Sequence, residues 1–251
     1  MRSTQSGVLL TALTLLILVL TGSAAPQKNL SLDQILERAY QREVAFKELL
    51  KDYICQVTAI TREPQKDGPA KTLSIVEKTV YRQLPDKRVE KYNAITEEGK
   101  VLSPEKVAEY QKKEKKTMSM RGSFLDPEER PNYTYELMPP DTIRGIPSYV
   151  LRIKPKKKSK DLIDGKVWLH QENFEVVKLD FQPAKNPKYV KEIHMIIDFN
   201  EVQPGFWLLT ELKIDARAGF LFFKKHFHHH ETWHDYQINV DLPDSIFVEE
   251  E

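Results

Sequence analysis

The densest set of side chains that could do chemistry lies near the carboxyl end of the chain. Residues 230–234 read His-Glu-Thr-Trp-His, which matches H-E-x-x-H, the motif in which zinc peptidases use two histidines as ligands and a glutamate as general base. The motif works on a helix, which brings residues four positions apart close together. Here residues 220–229 are aromatic and β-like, and the longer form of the motif would need glycine at Gln237 and histidine at Val240. The segment is therefore predicted to be a strand, and no catalytic residues are predicted.

The same segment keeps a second metal hypothesis open. On an unbroken strand His226, His228, His230 and His234 point to one face, with successive positions about 7 Å apart. Imidazoles at this spacing can bind zinc or copper, although polar side chains on the outer face of a half-buried sheet are common. Nothing in the segment specifies a third ligand. The prediction is therefore no cofactor and no metal site, with metal binding by residues 226–234 as an alternative.

Other catalytic signals are absent from the sequence. There is no G-x-S-x-G, no phosphate-binding glycine loop and no dinucleotide fingerprint. Cys55 is the single cysteine, so no intrachain disulfide can form. No histidine or basic residue flanks it to lower its pKa, and it is expected to be a buried, inert side chain. The chain is expected not to be an enzyme.

The amino terminus predicts export. Arg2 precedes an apolar run over residues 8–20, and small residues follow over 21–25. This is the pattern of a cleaved signal peptide, and the run is shorter than the ~20 residues of a spanning helix. Residues 1–25 are predicted to be the signal peptide, residues 26–251 a single domain, and the location periplasmic. An uncleaved membrane anchor is the alternative.

Cleavage gives the first testable prediction. The mature protein should begin within residues 25–27, because the small residues that signal peptidase requires end there. Amino-terminal sequencing of the exported protein checks this. A membrane-bound chain that still begins at Met1 would contradict it.

The charge balance argues against nucleic acid as a partner. The chain has 38 basic and 37 acidic residues, so it carries no strong net field. The basic run at residues 154–160 contains no aromatic residue that could stack on a base, and a hairpin tip is its expected role.

The elements that would position any site are an antiparallel sheet and two helices. Apolar residues recur at helical spacing over residues 32–50 after a capping Ser31, and a second helix is expected from Ser103-Pro104 to about residue 116. Residues 165–240 show strong period-two alternation in five segments, typical of antiparallel strands with one apolar and one solvated face. The fold class is therefore α+β, with helices over one face of the sheet.

Five sequence segments carry a resemblance to a known family. They are Ile-Arg-Gly-Ile-Pro-Ser-Tyr-Val-Leu at residues 143–151, Gly-Lys-Val-Trp-Leu at 165–169, Val-Val-Lys-Leu-Asp-Phe at 176–181, Glu-Val-Gln-Pro-Gly-Phe-Trp at 201–207 and Asp-Tyr-Gln-Ile-Asn-Val at 235–240. With the amphipathic amino-terminal helix, the chain resembles the periplasmic lipoprotein-carrier family of LolA/LolB-like fold. That family includes a sensor branch that controls an anti-sigma factor.

The resemblance implies a curved antiparallel sheet, an incomplete β-barrel, with helices covering the concave face. It implies a hydrophobic cavity that shelters lipoprotein acyl chains, with envelope membrane proteins that donate or accept the cargo, and no nucleic acid. Nine apolar residues are expected to line the cavity: Leu179, Phe181, Ile193, Met195, Ile197, Phe199, Leu208, Leu212 and Ile214. The expected function is non-catalytic binding of acyl chains or another amphiphile, in lipoprotein sorting. Two alternatives remain: an envelope sensor or structural domain that binds proteins, and an apolar face that only packs on the helices.

Overall fold

The computed structural model describes residues 30–113, 123–220 and 223–248. The predicted signal peptide, residues 1–25, and the predicted start of the domain at residue 26 lie outside the described residues. The compact unit that contains the sheet runs from Ser31 to Glu251. No helix in the described ranges is long and apolar enough to cross a membrane.

The described residues contain two α-helices, three short 3₁₀ helices and eleven β-strands. The α-helices are α1 (Leu32–Leu49) and α2 (Pro104–Lys113), and the 3₁₀ helices are Ser123–Leu125, Arg130–Asn132 and Asp244–Phe247. The strands are β1 (Asp52–Glu63), β2 (Lys71–Gln83), β3 (Lys87–Glu97), β4 (Lys100–Val101), β5 (Tyr133–Ile143), β6 (Ile146–Pro155), β7 (Ile163–His170), β8 (Val176–Pro183), β9 (Val190–Gln203), β10 (Phe206–Phe220) and β11 (Phe223–Ile238).

All eleven strands belong to one antiparallel sheet. Its order is β4-β3-β2-β1-β11-β10-β9-β8-β7-β6-β5, so neighbours in the sheet are neighbours in the chain except at one place. There β1 pairs with β11, from Tyr53 opposite Ile238 to Arg62 opposite His228. The strands β4 and β5 are the two edges, and the curved sheet is not closed into a barrel. This confirms the predicted α+β fold with an incomplete barrel.

Helix α1 begins where the sequence predicts. The Ser31 hydroxyl accepts a hydrogen bond from the Gln34 backbone, and the Gln34 side chain accepts one from the Ser31 backbone N–H, which satisfies two free donors at the helix start. The residues buried on one side of the helix include Ile35, Leu36 and Phe46. This apolar stripe lies against the sheet and holds α1 there.

The region after α2 differs from the prediction. Helix α2 ends at Lys113, and residues 114–116 of the predicted helix lie outside the described residues. Residues 117–131 lack periodicity and contain Gly122, Pro127 and Pro131, so the sequence predicts a mobile loop there. Their described part instead contains the 3₁₀ helix Ser123–Leu125, in which Phe124 and Leu125 are both about 1% exposed. An aperiodic segment can still be ordered when two large apolar side chains are buried in a core.

Candidate functional site

The apolar residues expected to line a cavity lie on three adjacent strands. Leu179 on β8 is paired with Ile197 on β9, which is paired with Leu212 on β10. Met195 is likewise paired with Ile214. Because directly opposed residues share a face, these side chains form one continuous apolar surface across β8, β9 and β10.

The nine residues differ in exposure. Six are buried: Leu179, Phe181, Met195, Ile197, Phe199 and Leu208. The other three, Ile193, Leu212 and Ile214, are partly exposed. We call these three residues the open apolar patch.

Helix α1 fills the space over part of this face. Phe46 and Leu50 pack on Leu208, and the Phe46 ring meets the Phe206 ring edge-on at 6.2 Å between centroids. A cavity of about 10 Å³ remains between the helix and Val176. That volume holds about one water molecule and no acyl chain. An open cavity is therefore not present at this place, and the role of the nine residues as ligand contacts stays a prediction.

An ion pair fastens α1 to two turns of the sheet. The Arg42 guanidinium lies 2.8 Å from the Glu175 carboxylate, which is buried just before β8. The same guanidinium donates to the Gly205 carbonyl at 2.8 Å, in the turn between β9 and β10. These contacts give α1 a defined position over the sheet.

A second part of the same face carries a charged cluster, which we define as Lys78, Arg88, Glu90, His229 and Glu231. The Lys78 ammonium lies 2.7 Å from Glu90 and 3.7 Å from Glu231, and Nε of Arg88 donates to Glu90 at 2.9 Å. His229 lies 3.3 Å from Glu231. Lys78 and Glu231 are among the buried residues of the protein.

The charges in this cluster stabilise each other. Burial opposes the charge of Glu90, but the nearby Arg88 guanidinium and Lys78 ammonium outweigh it and hold the pKa of that carboxyl below its usual value. Burial also opposes the charge of Glu231, and there a hydrogen bond with His229 and the charge of Lys78 lower the pKa. Both carboxylates are therefore ionised at neutral pH.

The sequence of β2 contains a signal for this cluster. Val76, Lys78 and Val80 alternate on one side of β2, and Val80 is fully buried. A lysine at an inward position of an apolar alternation indicates a buried charge that must have a partner. The partner Glu231 could not be identified, because it lies on β11.

The open apolar patch and the charged cluster are neighbours. Ile214 of the patch is paired directly with His229 of the cluster across β10 and β11. The face therefore changes from apolar to polar within one strand spacing.

The histidine-rich segment forms the strand β11, as predicted. Its register with β1 is continuous from His228 to His234, so His228, His230 and His234 share the face opposite that of His229 and Glu231. At about 3.3 Å per residue, His230 and His234 lie about 13 Å apart along the strand. The helical arrangement of a zinc peptidase motif is therefore not formed by residues 230–234.

On that outer face, Asp215 of β10 lies between His226 and His228. Nε2 of His226 is 3.1 Å from Oδ1 of Asp215, and Nε2 of His228 is 2.8 Å from Oδ2. The prediction from sequence placed no third ligand beside the histidines, and Asp215 is the residue that it missed. The hairpin register that brings it there, Asp215 opposite His228, depends on the length of the turn.

Cys55 is buried, as expected. Burial raises the pKa of its thiol to about 12, although the Arg88 charge opposes this shift. The thiol is therefore protonated at neutral pH and is a poor nucleophile.

A model of the DUF5686 family, described as a family of unknown function, matches residues 56–236. The chain belongs to this family. The match covers most of β1 through most of β11 and does not include α1. No curated protein sequence matches the chain.

Solved structures with a similar fold include the following three. The LolA superfamily protein NE2245 from Nitrosomonas europaea is 15% identical, covers 88% of this chain and 98% of its own, and has a TM-score of 0.42. A domain from Vibrio parahaemolyticus provisionally assigned as an outer membrane lipoprotein-sorting protein is 13% identical, with coverages of 84% and 95% and a TM-score of 0.42. The Pseudomonas aeruginosa MucA/MucB complex gives 8% identity, coverages of 78% and 94%, and a TM-score of 0.26.

The solved structures that this chain resembles thus include a LolA superfamily protein and MucB, in agreement with the predicted family resemblance. Identities and scores this low describe a general likeness of fold and carry no information about ligand or partner.

Proposed function

We propose that this DUF5686 protein is a non-catalytic, exported protein that binds the acyl chain of a lipoprotein or of another amphiphile. The acyl chain lies on the open apolar patch of Ile193, Leu212 and Ile214. In this proposal the protein works in the periplasm in lipoprotein sorting, and envelope membrane proteins donate or accept the cargo.

The observation that carries the proposal is the partial exposure of this patch. Its three side chains continue the apolar surface that is buried beside them, at Met195 and Ile197, but they are not covered to the same extent. An acyl chain needs apolar contact area and no hydrogen bonds, and each buried methylene contributes about 0.8 kcal/mol. Aliphatic side chains on a rigid sheet provide such an area.

The neighbouring charged cluster supports an amphiphile over a purely apolar ligand. His229 is about one quarter exposed and is paired directly with Ile214. An amphiphile on the patch would therefore have its polar end beside polar side chains. A wholly apolar ligand would place no polar group beside the charged cluster.

Two isoleucines of β9 allow a matched test. Ile193 lies on the apolar face opposite Ala216, whereas Ile196 lies on the outer face opposite Lys213, and both are partly exposed. We expect Ile193→Glu to abolish saturable binding of a fluorescent fatty acid, because it puts a charge beside the acyl chain. Ile196→Glu should bind as the wild type does. Ile197 is a poorer choice because it is only 6% exposed, so a charge there would test stability.

The measurement is a fluorescence titration below the micelle concentration, with circular dichroism to show that each variant is folded. The proposal is wrong if the folded wild type shows no saturable binding. Equal loss in both isoleucine variants would also contradict it, since the bound chain would then not lie on the apolar face.

A further inference from the structure

The outer face of the sheet carries a group of side chains that the proposed function does not use. Asp215, His226 and His228 form what we call the His–Asp cluster, at the end of the β10–β11 hairpin distant from α1. One donor atom from each residue lies within 4.8 Å of the others. The cluster lies on the opposite side of the sheet from Ile214 and Ala216, the neighbours of Asp215 in β10.

Two of the three donor separations already suit a small metal ion. The distances from the Asp215 carboxylate are 3.1 Å to Nε2 of His226 and 2.8 Å to Nε2 of His228. In a tetrahedral zinc site with bonds of about 2.0–2.1 Å, adjacent donors are about 3.3 Å apart. The two rings are nearly perpendicular, at 85°, with centroids 4.8 Å apart. Small side-chain rotations are therefore enough to direct all three donors at one point.

The strands hold the three residues in this arrangement. Asp215 is directly opposite His228, and Arg217 is opposite His226. The Arg217 guanidinium is turned towards Glu192 at 3.0 Å on the neighbouring strand, so its charge is partly neutralised. Donors on paired strands lose little freedom when they bind an ion, which favours binding.

The chemistry of the donors selects the kind of ion. Two imidazoles and one carboxylate suit zinc and other first-row transition metals, whereas magnesium and calcium prefer sites built from oxygen. Three side chains leave one position of a tetrahedral ion for water or for a ligand from a partner. We propose that Asp215, His226 and His228 form a binding site for Zn²⁺. This proposal is independent of acyl-chain binding.

The test uses the full chain, produced without a polyhistidine tag, stripped with a chelator and titrated with zinc chloride by calorimetry. We expect one equivalent to bind, and we expect His226→Ala with His228→Ala to abolish binding. Asp215→Asn keeps the shape but removes the charge of a proposed ligand, and should weaken binding at least about tenfold, because even changes to the groups that orient metal ligands cost about that much. Excess Mg²⁺ should not displace the zinc.

The matched control replaces two other histidines of the same strand and face. His230 is 2.7 Å from Glu211, whose carboxylate also pairs with the Lys213 ammonium, and Nδ1 of His234 is 2.8 Å from the exposed Asp235 carboxylate. His230→Ala with His234→Ala should leave folding and zinc affinity unchanged. Absence of stoichiometric zinc in the wild type would overturn the proposal. Loss of zinc in this control, or its retention when His226 and His228 are both replaced, would also overturn it. If the variant that lacks both His226 and His228 fails to fold, the zinc affinity of Asp215→Asn is the deciding measurement. An affinity equal to that of the wild type would then overturn the proposal.

Discussion

Replacing Lys78 with methionine is expected to lower the free energy of unfolding by about 3–5 kcal/mol, the usual cost of removing one partner from a buried ion pair. The Lys78 ammonium is the group that lies between Glu90 and Glu231, at 2.7 and 3.7 Å. Methionine fills a similar volume, so the loss reports the charge and not a cavity. Urea unfolding at neutral pH measures it.

A lysine at the start of the same strand is the matched control. Lys71 pairs with Glu98 at 2.7 Å, but both side chains are at least half exposed. Lys71→Met should therefore leave the unfolding midpoint essentially unchanged, because water already solvates both charges. Equal losses at the two positions would show that burial does not set the strength of the Lys78 pairs. Addition of Glu231→Gln to Lys78→Met should restore part of the stability, since one unpaired buried charge is then removed.

The charged cluster also makes stability depend on pH. The pKa values of Glu90 and Glu231 are lowered in the folded protein, so the unfolded chain binds protons more readily. Their contribution is present above the unfolded pKa of about 4.3 and is lost as the pH falls through the lower folded values. In Lys78→Met both carboxyls lose a cation, so this variant should lose less stability than the wild type between neutral pH and about pH 3.

Gly165→Ala should destabilise the protein by about 3 kcal/mol or more, the upper range for an overpacked core. Gly165 on β7 is opposite Phe181 on β8, and Phe181 is 2% exposed. A Cβ atom at residue 165 would overlap the Asp180 carbonyl oxygen and both Cα and Cβ of Phe181. Backbone atoms of a central strand cannot move aside as the end of a flexible side chain can. Thermal or urea unfolding measures the loss.

A glycine in the β5–β6 turn provides a control that distinguishes a steric clash from the strain of a left-handed backbone. Gly145 has a φ of +83°, and a Cβ there would meet nothing within 4 Å. Gly145→Ala should therefore cost only about 1–2 kcal/mol, the penalty for a left-handed residue. A Gly165→Ala protein as stable as Gly145→Ala would contradict the close approach of β7 and β8.

Much of the fold could be predicted because its signals are local. The alternation at Leu179, Phe181, Met195 and Ile197 follows from the two-residue period of a strand, and the start of α1 follows from Ser31 and Gln34. Both depend on atoms a few residues apart. The apolar face of the sheet was therefore predictable residue by residue.

Exposure on that face could not be predicted in the same way. Ile193 and Ile197 are four residues apart on one face of β9, but only Ile197 is buried. The difference depends on what packs above each residue, which the alternation along β9 does not specify. The same limit applies to Phe124 and Leu125, which are buried although the sequence around them lacks periodicity and predicts a loop.

The charged cluster and the His–Asp cluster depend most on contacts between distant parts of the chain. Residue types and strand periodicity were enough to place the histidines of β11 on one face and Lys78 on an inward one. They could not show that β11 pairs with β1 and thereby brings Glu231 near Lys78, 153 positions away in sequence, or that the hairpin register sets Asp215 between His226 and His228. A side chain's direction is a property of its own strand. Its partner depends on strand order and register, which are set by the packing energy of the whole sheet.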